Sequence, residues 1–83
     1  MIKIKEVEKG DNYYTVTFVD GMDAYGVIVT LVPQRPVYIE FMEFAKNKQD
    51  LLIITEEENK EEFDRLKGKY FDQIMKHIHD QAN

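Results

Sequence analysis

The chain has 83 residues, of which 43% are hydrophobic, 33% charged and 12% aromatic, and its net charge is −5 at pH 7. This composition predicts a packed core in one small domain over residues 1–83, and the length excludes a TIM barrel or a full dinucleotide-binding fold. Cysteine, serine and tryptophan are absent, which excludes disulfides, thiolate zinc sites and Ser or Cys nucleophiles.

The first ten residues alternate charged side chains with Ile and Val, and no apolar run approaches the roughly 18 residues that cross a bilayer. We therefore expect neither a signal peptide nor a membrane helix, and we expect a soluble, cytoplasmic protein with no membrane partner. The acidic net charge disfavours direct binding to nucleic acid, because like charges repel the phosphate backbone.

Two strands are predicted at the start of the chain, over about residues 2–8 and 13–19, because apolar side chains recur there at every second position. Ile2 and Ile4 lie on one side of the first strand. The next apolar residue is Val7, three positions on, which predicts a change of parity near residues 5 and 6, as in a β-bulge.

Three further strands precede the helix. Asp20-Gly21 indicates a hairpin, and we expect its loop to exceed two residues because Met22 and Asp23 are also turn-compatible. Residues 24–32 are largely apolar on both faces, which predicts a central strand. Residues 37–44 follow a proline and could begin a helix, but their β-branched and aromatic side chains favour a strand. Residues 51–55 predict a short buried strand.

A C-terminal helix is predicted over about residues 56–80, since Thr55 and Glu58 have the spacing of a capping box. One stripe of this helix carries the side chains expected to be buried: Phe63, Leu66, Tyr70, Phe71, Ile74, His77 and Ile78. Together these elements predict an α+β fold. It is an antiparallel meander of four or five strands, alternatively curled into a partial barrel, with the helix packed on one face.

No group of residues in the sequence predicts catalysis or metal binding. His77 and His79 point about 200° apart on a helix, so they cannot share one ion there. Glu6 and Glu8 share a strand face, but a carboxylate pair needs a concave site to act as acid and base. We therefore expect no enzymatic activity, no cofactor and no metal.

The uncovered face of the sheet is the main candidate for function, because one helix covers only one face. Strand parity places Tyr13, Tyr38, Met42 and Phe44 on the face opposite the helix. Aromatic residues and methionine are enriched in protein interfaces. The sequence therefore predicts a small, non-enzymatic binding module, a regulatory or accessory protein that acts through protein–protein contact or homodimerisation at these four residues.

The alternative hypothesis uses the acidic side chains near the helix. Glu57, Glu61, Asp64 and Asp72 could together imitate a line of phosphates. An acidic inhibitor of this kind would occupy the nucleic-acid groove of a partner protein. The simpler interpretation is a solvated helix face with acidic residues at the positive end of the helix dipole.

Overall fold

A computed structural model of the chain describes residues 2–33, 35–44 and 50–82. It contains five strands and one helix in the order β1 (Lys3–Lys9), β2 (Tyr13–Asp20), β3 (Asp23–Leu31), β4 (Pro36–Phe44), β5 (Leu51–Ile54) and α1 (Lys60–Ala82). All neighbouring strands pair antiparallel in the order β1-β2-β3-β4-β5, which confirms the α+β meander with a C-terminal helix. Residues 37–44 form a strand and not a helix.

The sheet is open, because among the described strands β1 and β5 each have one neighbour. The meander is not closed into a barrel. β3 is the central strand, as its apolar character on both faces predicts. The pairing of β1 with β2 shifts register between Ile4 and Glu6, where the sequence predicted a bulge.

The β2–β3 loop is shorter than the sequence suggested. Asp20 pairs directly with Asp23, so only Gly21 and Met22 form the turn. Gly21 has a φ of 64°, the left-handed value that two-residue hairpins need at their first turn position. The prediction of a longer loop was wrong because Asp23 belongs to the strand and its side chain is exposed there.

The helix begins at Lys60, and not near Glu56 as expected. The Thr55 hydroxyl does accept the backbone N–H of Glu58 at 3.2 Å, but the segment from Thr55 forms one isolated turn. The carbonyl of Asn59 then accepts the backbone N–H of Phe63 at 2.8 Å, which makes Asn59 the N-cap residue of α1. Asparagine is among the strongest N-cap residues, so the helix starts from the second of two competing signals.

The core lies between the sheet and one face of α1. Rings from the two layers meet directly, with centroids 5.1 Å apart for Phe18 and Tyr70 and 5.7 Å apart for Phe41 and Phe63. The predicted stripe of α1 is buried at five positions, while Phe71 and His77 at its margin are half-buried. The buried side chains are those of Tyr14, Val16, Phe18, Tyr25, Val27, Val29, Phe41, Ile54, Phe63, Leu66, Tyr70, Ile74 and Ile78.

Asp20, at the end of β2, makes polar contacts with α1. The Tyr70 hydroxyl donates to Asp20 Oδ2 at 2.7 Å, and the Lys69 Nζ lies 3.7 Å from the same oxygen. Burial and the bond to Asp20 raise the pKa of Tyr70. The same bond lowers the pKa of Asp20, with a smaller contribution from the charge of Lys69. The contact therefore satisfies the one polar atom of a tyrosine whose ring is otherwise in the core.

Candidate functional site

The β2–β5 part of the sheet face opposite α1 is the candidate functional site, and we call it the open face. At its margin β1 places Lys3, Glu6 and Glu8 on the same side of the sheet. The strand register aligns its side chains across β2 to β5, because paired residues in antiparallel strands point to the same side. It consists of fourteen positions: Tyr13, Thr15, Thr17, Val19, Ala24, Gly26, Ile28, Thr30, Tyr38, Glu40, Met42, Phe44, Leu51 and Ile53.

Charge is nearly absent from the β2–β5 positions of the open face, whereas the neighbouring β1 carries three charged residues on the same side. Glu40 is the single charged residue among its fourteen positions, although 33% of the whole chain is charged. The Glu40 carboxylate accepts a hydrogen bond from the Tyr38 hydroxyl at 2.9 Å. Water therefore meets a surface made mostly of methyl groups, threonine hydroxyls and aromatic rings.

Two of the four predicted contact residues lie at one end of the open face. Tyr13 and Tyr38 flank Thr30 on neighbouring strands, and they are 43% and 48% exposed. The Tyr13 ring lies against Gly10, whose backbone N–H donates to the Tyr13 carbonyl at 2.8 Å. The Tyr13 ring therefore has one side against the backbone of Gly10, and Tyr38 is held through its hydroxyl bond to Glu40.

The other two predicted residues lie at the opposite end of the open face. Met42 and Phe44 are half-buried and lean over Gly26, where a Cβ would lie 2.9 Å from Met42 Cε and 3.5 Å from Phe44 Cε2. Glycine at this position therefore lets both side chains lie down across β3. Parity placed all four residues on the correct face, but the structure separates them into two pairs.

The aliphatic surface of β5 is a feature that sequence reasoning missed. Leu51, Leu52 and Ile53 are about half exposed, and only Ile54 is buried. The prediction of a buried strand was wrong because β5 is at the edge of the sheet and, among the described residues, pairs with residues 41–44 alone. This run of four apolar residues could have been recognised as an edge strand from the sequence, because the acidic residues on both sides of it limit which elements can pack over it.

The two edges of the sheet differ in character. β1 has the sequence KIKEVEK and a bulge, both of which discourage pairing with another chain. The side-chain hydrogen bond and the charge of Glu8 raise the pKa of Glu6 on this strand. β5 has the sequence LLII, with no charge and no proline. On one side, therefore, the open face continues into an apolar edge strand that pairs with no further strand in the described part of the chain.

Three of the four acidic residues of the alternative hypothesis share one face of α1, and the fourth lies outside the helix. Glu61, Asp64 and Asp72 are exposed on the outer face of α1, while Glu57 lies in the separate turn before the helix. Asp64 is paired with Lys60 at 3.2 Å. These placements agree with a solvated, ion-paired helix face.

Two clefts lie at the margins of the sheet. One, of about 680 Å³, is lined by the β1–β2 turn, the end of β3 and the C-terminal part of α1, including the exposed His79. The other, of about 460 Å³, lies between the start of β4 and the Thr55–Glu58 turn. Within residues 2–33, 35–44 and 50–82, no three His, Asp or Glu side chains are placed to hold a metal ion.

The fold and the site define a class of protein: a small α+β domain with one covered and one uncovered sheet face. No family model matches the chain, and neither a curated protein nor a solved structure is significantly similar to it. In the described part of the chain, α1 has neither the length of apolar sequence nor the hydropathy that a bilayer crossing requires.

Proposed function

We propose that this protein is a small, non-enzymatic binding module that acts as a regulatory or accessory protein in the cytoplasm. Its contact surface is the open face, through Tyr13, Tyr38, Met42 and Phe44, and the mode is protein–protein contact or homodimerisation. The observation that carries the proposal is the single charge among the fourteen positions of β2–β5, with the other charged residues of this face confined to β1 at its margin. Contiguous apolar surface of this kind commonly marks a protein interface.

The composition of the open face supports a protein partner. Tyrosine anchors contribute large contact area with few rotatable bonds, and their hydroxyls bond to partner groups at the rim. Methionine adapts to irregular partner surfaces because it is unbranched and flexible. Threonines between these side chains allow close approach while satisfying polar groups.

The size of the open face sets the expected affinity. Strands spaced about 4.8 Å apart and rising about 3.3 Å per residue give it a footprint of roughly 500 Å². A standard protein interface buries about 800 Å² on each partner. We therefore expect a weak or transient complex unless side chains of the β5 edge add to the contact.

The test compares Tyr38→Ala combined with Met42→Asp against Gln73→Asp, a charge-matched control at an exposed position of α1. Association is expected to be lost in the double variant and kept in the control, while both retain the wild-type circular dichroism melt. Sedimentation velocity detects self-association, and retention from host lysate detects a different partner. Full association of a folded double variant would refute the proposal.

A second variant protects the test against misfolding. Tyr13→Ala combined with Tyr38→Ala changes only side chains that are already more than 40% exposed. It is expected to weaken association with little effect on stability. If either variant unfolds the protein, the affected side chains are core residues and the open face is not a free surface.

The acidic-inhibitor alternative predicts a different dependence on salt. Binding through Glu57, Glu61, Asp64 and Asp72 would weaken steeply between about 0.1 M and 0.5 M salt, because the screening length falls below about 8 Å. Binding through the open face would be flat or strengthen. The pairing of Asp64 with Lys60 and the separate position of Glu57 make the open face the better supported surface.

A further inference from the structure

The edge of β4 is only half covered. β5 pairs with residues 41–44 of β4, and no described strand lies beside residues 36–40 on that side. After Ile54 the chain leaves the sheet in the Thr55–Glu58 turn, and the space between this turn and β4 is a cleft of about 460 Å³. We call it the β4 cleft. Its volume is within the range of ligand-binding pockets.

The β4 cleft has an apolar floor. Val37 is 53% exposed, Ile39 is half-buried, and Phe63 closes the bottom. Val37 and Ile39 point to the helix side of the sheet, while Tyr38 and Glu40 point to the open face. A segment lying along this edge therefore meets aliphatic side chains on one side and a tyrosine and a carboxylate on the other.

The wall of the β4 cleft is acidic. Glu56, Glu57 and Glu58 are all exposed along it, and Lys67 is the one cation in the described lining. These charges act on the rim of the cleft: the hydrogen bond to Glu40 raises the pKa of Tyr38, and the charges of Glu57 and Glu58 add to this effect. A cationic ligand is therefore favoured over a neutral or anionic one.

We propose that the β4 cleft binds a short, extended, basic segment of another protein. The segment adds a strand beside residues 36–40, where main-chain groups of β4 have no strand partner among the described residues. Because side chains alternate along a strand, aliphatic residues of the segment pack on Val37 and Ile39. Lysine or arginine residues then face Tyr38 and Glu40, close to the glutamate wall. This site shares Tyr38 and Glu40 with the margin of the open face, whereas Val37, Ile39 and the glutamate wall belong to the β4 cleft alone.

The test is a two-dimensional NMR titration of the full chain with the peptide acetyl-Val-Arg-Val-Arg-Val-amide. Amide signals of Val37, Ile39 and Thr55 are expected to shift with a Kd of about 1 mM or tighter at about 0.1 M salt. The peptide acetyl-Val-Glu-Val-Glu-Val-amide is expected to cause no shifts. Equal shifts with both peptides, or none with the arginine peptide at several millimolar, would overturn the proposal.

Charge-matched variants separate this site from a general attraction to an acidic chain. Glu57→Gln combined with Glu58→Gln is expected to weaken binding about tenfold. Asp72→Asn combined with Asp80→Asn removes the same charge from exposed positions of α1 and is expected to change the Kd less than twofold. Equal effects of the two pairs would overturn the site assignment.

Further measurements test the chemistry of the ligand and the location of the site. Val37→Arg places a cation of the chain itself in the β4 cleft and is expected to abolish binding, while its folding is checked by circular dichroism. Displacement of the peptide by equimolar spermidine would overturn the peptide proposal in favour of a small polycation. Shifts confined to Thr15, Thr17 and Ile28 would overturn the β4 cleft while leaving the proposed function of the open face intact.

Discussion

Gly21→Ala and Gly68→Ala add the same methyl group, yet the structure predicts opposite effects on stability. Neither new Cβ meets an atom within 4 Å, so steric contact with neighbours does not separate the two positions. The difference is in the backbone. Gly21 has a φ of 64° in the hairpin turn, whereas Gly68 lies in the exposed interior of α1.

The magnitudes follow from these conformations. The left-handed region costs an L-residue with a side chain about 1–2 kcal/mol. Because alanine also makes the unfolded chain less flexible, part of this cost is offset, and Gly21→Ala should lower the free energy of unfolding by about 1 kcal/mol. Gly68→Ala should stabilise by 0.5 to 1 kcal/mol, roughly the difference in helix propensity. In a domain of this size the two melting temperatures should differ by about 8–12 °C.

The assay is urea and thermal unfolding followed by circular dichroism, with all proteins at the same concentration because association also affects stability. Gly21→Asn is the control, since asparagine tolerates the left-handed region, and it should lose much less stability than Gly21→Ala. If both alanine variants shift stability in the same direction, the assigned backbone conformations are wrong.

Three other substitutions test the core, its hydrogen bond to Asp20 and the carboxyl pair on β1. Leu66→Ala should lower the free energy of unfolding by about 2–5 kcal/mol in urea titrations, because it leaves a cavity at a fully buried position. Tyr70→Phe should cost about 1 kcal/mol at pH 7 through loss of the bond to Asp20. That bond lowers the pKa of Asp20 from 3.8, so its stabilising effect is fully present above about pH 4. The effect is lost as the pH falls through the lowered pKa of the folded state. The melting temperatures of wild type and Tyr70→Phe should therefore converge in acid. Glu6→Gln should raise the melting temperature at pH 7 but not near pH 4. Glu8 raises the pKa of Glu6, so repulsion between the two carboxylates destabilises the fold only as the pH rises past 4.5. An unchanged melting temperature at pH 7 would count against that pairing.

The strands could be predicted from sequence because alternation is a local signal. Each of the five begins and ends within one residue of its expected position, and even the bulge near Glu6 follows from the spacing of Ile4 and Val7. The helix start was harder to predict, because Thr55 and Asn59 are both good capping residues four positions apart. Only the path of the chain away from β5 decides between them.

The candidate site was predictable in part for the same reason. Parity alone puts Tyr38 and Met42 on the uncovered face, whereas the exposure of Leu52 on the helix side of β5 depends on how far α1 extends over the sheet. The β4 cleft arises because β5 is five residues shorter than β4, and strand length is not encoded by the composition of either strand. Its acidic wall was visible in the sequence only as a charge run.

The order of elements has a consequence for synthesis. Every strand pair joins neighbours in the chain, so the five-stranded sheet can assemble progressively as residues 3–54 are made. The helix-facing side of the sheet stays uncovered until the 23 residues of α1 are made, which takes roughly 1–5 s at typical rates of translation. During that interval Val16, Val27 and Phe41 have no cover. The nascent protein is therefore most exposed to aggregation just before α1 is complete, and variants that slow or weaken α1 should lower the yield of folded protein more than equally destabilising changes in β1.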